Sequence, residues 1–190
     1  MSQAIAILEF WFGNPQSVDY GKPRKDWFSK EPGFDAEIRN QFFQDYQEAA
    51  SGLLDDWIES PENCLALILL LDQFPRNMFR GKPEAFATDW EALTIAQQAV
   101  SRGYDRQLLP AQRWFIYLPF SHSENLQHQL EAIRLFKLLT ADPNSVTAIE
   151  SAVQHMQIIQ RFGRFPHRNA ILGRVSNPEE KNFLKSGSSF

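Results

Sequence analysis

The chain has 190 residues and a formal net charge of −4, with 19 Lys and Arg against 23 Asp and Glu. That length fits a single domain, residues 1–190, which can bury most of its apolar surface without staples, and the acidic balance argues against a broad nucleic-acid-binding face. A lone cysteine, Cys64, excludes an internal disulfide, and the N-terminus carries no secretory apolar region, so a cytoplasmic protein is expected.

The elements follow from helix punctuation. Ala4–Phe12 reads as a short helix, and Asn14–Pro32 as a long connection with three prolines and the pair Trp27–Phe28. Asp35 is placed to cap a helix carrying Ile38, Phe42, Tyr46 and Ala49 in phase up to Gly52. Ser60-Pro61 opens the next, since Ser60 can cap and Pro61 sits where its missing N–H costs nothing. That helix, Glu62–Leu71, is apolar nearly all round and should be central. It is expected to stop at Asp72-Gln73-Phe74-Pro75, because Pro75 disfavours the α conformation at Phe74. Thr88 or Asp89 opens a helix to Arg102, and Pro110 opens one that Pro119 closes. Glu124–Thr140 follows, with Leu126, Leu130, Ile133, Phe136 and Leu139 in phase and Ser121 or Ser123 as its cap. Ser145–Phe162 ends at Gly163, and Ser176 with Glu179 forms a capping box for a last short helix. No alternating β-branched run demands a strand, so the class is all-α, in about seven to nine helices. The apolar runs Ala4–Phe12 and Leu65–Leu71 fall far short of the roughly 20 residues a membrane span needs.

Three polar segments are not explained by helix formation: Asp72–Arg80, His122–Gln129 and His155–Arg174. Each sets Arg, His, Asn or carboxylate beside Phe and Pro, next to an apolar helix. An arginine there needs an anionic partner, supplied by the protein or by a ligand phosphate or carboxylate. Arg76, Arg80, Arg161, Arg164, Arg168 and Arg174 outnumber Asp72, Asp89 and Glu124, a local cationic excess that favours an anionic ligand. Nucleophilic catalysis has little support, since Cys64 lies in an apolar run and no GxSxG, P-loop or GxGxxG is present. His122, Glu124, His155, His167 and Asp72 form no compact metal motif, so neither a metal nor a cofactor is expected.

At these segments the chain resembles a bacterial family, domain of unknown function nine-twenty-four. The stretches that carry the resemblance are Leu8-Glu9-Phe10-Trp11-Phe12-Gly13, Leu67 to Gly81, Tyr117-Leu118-Pro119-Phe120 with His122-Ser123-Glu124, Arg161 to Asn169, and Gly187-Ser188-Ser189-Phe190. It implies a tetratricopeptide-like α–α superhelix and no established activity.

The residues then support a cleft that binds a small anionic molecule, with hydrolytic or transferase chemistry as an option. Arg76, Arg80, Arg164 and Arg168 would clamp the anion. His122, His155 and His167 would supply donors or proton transfer, since imidazole titrates near neutrality. Asp72 and Glu124 would orient them or act as base, and Gln73, Asn77 and Gln129 would give neutral hydrogen bonds. Two other readings stay open: a helical scaffold that binds a peptide or protein partner, and segments that merely lock helix ends. Neither nucleic acid nor membrane is expected as a partner.

Overall fold

The structure, a computed structural model, describes residues 3–186, so the C-terminal Gly187–Phe190 match lies outside the described residues. All regular elements among the described residues are helical. Helix α1, Gln3–Phe12, buries Ala4, Ile7, Leu8, Trp11 and Phe12, a stripe at helical spacing. The connection after it is irregular apart from a 3₁₀ turn at Lys25–Phe28, and it is tied down by side chains. The Arg24 guanidinium donates to the Phe10 and Trp11 carbonyls at 2.6 and 3.1 Å, and Trp27 Nε1 donates to Trp11 O at 2.8 Å.

Helix α2, Pro32–Ala50, starts three residues before the expected cap. Proline is favoured in a first helical turn, and Asp35 is thereby released to pair with Arg80. Helix α3, Pro61–Ile68, starts as expected, with Ser60 Oγ accepting from the Asn63 amide at 3.3 Å. Its expected stop before Pro75 does not occur. A π turn, Leu69–Gln73, carries the chain straight into helix α4, Phe74–Met78, and Phe74 is helical at φ −61°, ψ −39°. The wider turn lets the Phe74 amide reach Leu69 O, five residues back. The carbonyl that Pro75 deprives of a donor, Leu71 O, accepts instead from the Thr88 hydroxyl at 2.6 Å. Thr88 therefore serves α4 rather than capping the next helix with its side chain.

Helix α5 is Asp89–Ser101 and α6 is Pro110–His122. Pro119 was expected to close α6 but lies inside it. Tertiary bonds hold the turn beyond it: Gln129 Nε2 donates to Ser121 O and Ser123 O at 2.6 and 2.7 Å, and His122 binds Asp72. Helix α7, Leu126–Phe136, is capped by Asn125, whose Oδ1 accepts from the Gln127 amide at 2.8 Å, so neither Ser121 nor Ser123 caps it and Glu124 stays outside. Its buried face is Gln129, Ala132, Leu135 and Phe136, which leaves Leu126 and Leu130 exposed. Helix α8, Val146–Phe162, ends on Gly163 in the left-handed region at φ +67°. Helix α9, Pro178–Lys185, is capped by Asn177 with Glu180, one residue beyond the expected pair, while Ser176 Oγ accepts from Asn169 Nδ2.

The α3 run from Cys64 to Leu71 is buried on every side, and α1, α2, α5 and α6 pack around it and its extension through α4. Burial pushes the Cys64 thiol up to about 12, consistent with a packing role. Helices α5 to α8 pack as successive neighbours. Trp114 Nε1 donates to Ser145 Oγ at 2.7 Å, and eight residues on the His122 ring lies 6.4 Å from that of His155. Thus α6 and α8 run parallel, with α7 returning between them. Among the described residues no helix is long and apolar enough to cross a membrane.

A Cβ at Gly163 would meet nothing within 4 Å, so only backbone strain opposes a substitution there. We expect Gly163→Ala to lower the unfolding free energy by about 1–2 kcal/mol, the cost of placing an L-residue in the left-handed region, read from urea midpoints of the two proteins.

Candidate functional site

A cavity of about 600 Å³ lies between α4, α6, α8 and the connection before α2. Each helix presents a stripe at helical spacing. The α4 segment gives Gln73, Arg76, Asn77 and Arg80; α6 gives Trp114, Leu118, Ser121 and His122; α8 gives Thr147, Ala148, Ser151, Ala152 and His155. The connection adds Arg24, Trp27, Phe28 and Lys30. The parallel course of α6 and α8 gives the cavity two ends, separated by the eight residues from Trp114 to His122, or about 12 Å along the helix. One end is aromatic, where Trp27 lies 6.1 Å from Trp114. The other is polar, with Gln73, Arg76, His122 and His155.

Behind the polar end, fully buried, is Asp72. Its Oδ1 lies 2.7 Å from His122 Nδ1 and 3.4 Å from Arg76 Nη2, and its Oδ2 accepts from Gln73 Nε2. Burial alone would raise this carboxyl, but Arg76 and His122 outweigh it and hold the group well below the usual carboxylate range. Arg76 also bonds Asp72 O at 2.7 Å and Asp89 at 2.8 Å. Burial, then the Arg76 charge, pushes His122 below its ordinary value against the opposing pull of Asp72. The imidazole therefore stays neutral, and because a carboxylate only accepts, Nδ1 carries the proton.

The structure divides the sequence-derived residues in two. Gln73, Arg76, Asn77, Arg80, His122 and His155 line the cavity, with Asp72 directly behind. His155 lies beneath them, its Nδ1 donating to Ser151 O at 2.8 Å, and burial pushes it down to about 3. Glu124, Gln129, Arg164, His167 and Arg168 do not line the cavity, and each has a packing role. Gln129 ties down the end of α6, as above. Glu124 accepts from the Phe165 amide at 2.8 Å and takes two bonds from Arg174, at 2.7 and 2.9 Å. Arg164 forms a two-pronged pair with Glu180 at 2.6 and 2.9 Å. Arg168 is stacked between Phe86 and Phe165, its guanidinium carbon 4.7 and 4.6 Å from the ring centroids, and it faces Asp89 at 3.4 Å. Burial, then the Arg76 charge, pushes it down to about 10. His167 packs on Phe165 and is pushed down to about 4 by burial.

The expected cationic excess in these segments is also absent. Arg80 pairs with Asp35, Arg161 with Glu179 and Arg164 with Glu180, three carboxylates the local count left out. The sequence reading missed Arg24, Lys30, Trp27 and Trp114 as cavity residues. A signal was present in the connection, where an aromatic pair between basic residues must pack on something or remain exposed. Among the described residues no group of three or more His, Cys, Asp and Glu is arranged to hold a metal ion.

The fold and site define an all-helical protein with a cavity between its helices, cationic and aromatic on its walls. A model of bacterial proteins of unknown function, DUF924, matches residues 7–188, and the chain belongs to that family. It is similar to the solved structure of a protein of unknown function from Agrobacterium tumefaciens, with 40% identity, 97% of each chain covered and a TM-score of 0.87. No curated protein matches.

Two predictions follow from these burials. Asp72→Ala should lower the unfolding free energy by about 3–5 kcal/mol, because it removes one of the two carboxylates that face the buried Arg76 charge and leaves Gln73 Nε2 and His122 Nδ1 without their acceptor; an unchanged denaturation midpoint would show that Asp72 is not the anchor. The histidines set an acid limb. His155 and His167 have folded values near 3 and 4, below the 6.5 of the unfolded chain. The unfolded chain takes protons that the fold refuses, so this stability is complete above pH 6.5 and lost as pH falls toward 4. The expected slope is about 1.4 kcal/mol per pH unit for each histidine. His155→Gln should flatten it in urea titrations across that range.

Proposed function

We propose that the cavity binds a small anionic molecule, bearing a phosphate or carboxylate, with an apolar body. One observation carries this reading: the side chains lining the cavity among the described residues include Arg24, Lys30, Arg76 and Arg80 and no carboxylate. An anion there meets positive charge without meeting Asp or Glu at the wall, although Asp35, Asp72 and Asp89 compensate the arginines from behind. Lys30 and Arg80 are the exposed cations and so stand at the mouth. The apolar body would lie against Trp27, Trp114 and Phe136 at the far end. A volume of about 600 Å³ suits a small molecule. A peptide scaffold calls for an extended groove instead, and no observation favours it.

The test is a thermal-shift and calorimetric comparison of phenyl phosphate, 3-phenylpropionate and the neutral 3-phenylpropanol. At ten times its dissociation constant an anionic probe should add about 1.4 kcal/mol of apparent stability. The double variant Lys30→Ala/Arg80→Ala should weaken binding about tenfold or more, equivalent to about 1.4 kcal/mol, with its fold retained. Equal shifts from the neutral alcohol, or none from either anion at about 10 mM, would overturn the reading.

A further inference from the structure

We propose that Asp72 and His122 form a general-base dyad that turns water on a carboxylic ester held in this cavity, the ester carrying its anionic group elsewhere in the molecule. This rests on the anion-binding reading and adds a reaction to it.

The geometry is that of an oriented base. Asp72 is fixed by Gln73 and Arg76, and its Oδ1 meets His122 Nδ1 at 2.7 Å. The proton on Nδ1 leaves the lone pair on Nε2, and Nε2 makes no hydrogen bond within the described chain, while the ring lines the cavity. An imidazole oriented by a carboxylate thus borders the ligand space, as general-base catalysis requires. The charged and titratable groups around the ring are Asp72 and Arg76 from the α3–α4 segment, Asp89 from α5, His155 from α8, and His167 and Arg168 from the turn after α8. Two guanidiniums and two carboxylates balance there, so the ring is not required as a cation. Its lowered pKa keeps the base form present at neutral pH.

The nucleophile is water. The Ser121 hydroxyl is buried with no hydrogen-bond partner, Ser151 is engaged with His155, and Cys64 is in the core. The reacting group is an acyl carbon rather than a phosphorus. The guanidinium nearest the dyad, Arg76, has Nη1 committed to Asp72 O, Ala85 O and Asp89 and Nη2 buried, so no open fork awaits a phosphoryl group there. The neutral ester carbonyl would sit at the dyad end and the anionic group at Lys30 and Arg80.

The step balances without a further reactant. His122 Nε2 takes a proton from water as the water oxygen bonds to the acyl carbon, and the carbonyl electron pair moves to oxygen. The tetrahedral adduct then collapses. Its C–O bond to the leaving alcohol breaks, and the proton on Nε2 passes to that oxygen. Ester and water become acid and alcohol, and the dyad is restored. His122 is the catalytic residue and Asp72 the positioning residue.

The test uses the full chain with mono-para-nitrophenyl glutarate, its neutral counterpart para-nitrophenyl butyrate, and glutaranilic acid as a ligand that resists cleavage. We expect hydrolysis above the buffer rate, with kcat/KM about tenfold or more higher for the anionic ester. The rate should rise with pH through one ionisation below 6.5 and then level. His122→Gln should lower kcat at least about 100-fold, with the anilide still bound and the melting temperature kept. Asp72→Asn should move the ionisation limb to lower pH, because the carboxylate supports the imidazolium, a change that loosened packing would not produce. If His122→Gln does not fold, His122→Asn and the wild-type pH limb carry the same test. Anilide binding without ester cleavage, or undiminished cleavage by His122→Gln, overturns the dyad and leaves the binding reading standing. Absence of both binding and cleavage overturns both.

Discussion

The buried carboxylate of Asp72 is the constraint on which the site depends. A fully buried charge is tolerated only when paired and hydrogen-bonded, and Asp72 draws its partners from two places in the chain, Gln73 and Arg76 beside it and His122 on α6. Satisfying it fixes the end of α6 against the α3–α4 segment. It also settles the protonation of His122, since a carboxylate at Nδ1 leaves one neutral tautomer.

The π turn makes that pairing geometrically available. One extra residue in a helical turn rotates everything beyond it by about 100° relative to an uninterrupted α-helix. Cys64–Ile68 are turned wholly into the core, while Gln73, Arg76, Asn77 and Arg80 beyond Leu69 face the cavity. Pro75 fits because the turn has already displaced the carbonyl it would obstruct, and Thr88 satisfies that carbonyl. The same local feature therefore defeats a helix-stop rule and presents the polar face. π turns inside α-helices frequently mark functional sites for this reason.

The architecture was legible where local physics decides it. Ser60-Pro61 starts α3, Gly163 ends α8, and the apolar run Cys64–Leu71 is the centre. Legibility ended where tertiary bonds override local preference: Pro75 and Pro119 continue helices, and Asn125 and Asn177 take caps that neighbouring serines could have taken. The site was half legible. Asp72, Gln73, Arg76, Asn77 and Arg80 are close in sequence and share a face once the turn is known, and His122 joins them. Arg164 and Arg168 could not be separated from them, because the partners that absorb them, Glu180, Phe86 and Asp89, are fixed only by the fold. Counting charges within a segment fails when pairing reaches across the chain, as Asp35 to Arg80 does.

These two groups of arginines do different work. Arg164, Arg168 and Arg174 are consumed by Glu180, by Phe86, Phe165 and Asp89, and by Glu124, and they bind the turn after α8 to the start of α7 and to α9. That turn carries Phe165, whose ring backs His155 at 5.4 Å. His155 in turn stands 6.4 Å from His122. The structural arginines thus act on the cavity at one remove: they fix an aromatic ring, the ring fixes a neutral histidine, and that histidine forms the wall beside the dyad. Arg76 belongs to both groups. It is held by Asp72 and Asp89, and after burial its charge is what pushes His122 below its ordinary value. The buried ion-pair network thus does two things at once: it satisfies the Asp72 charge inside the fold, and it holds one imidazole oriented at the polar end of the cavity.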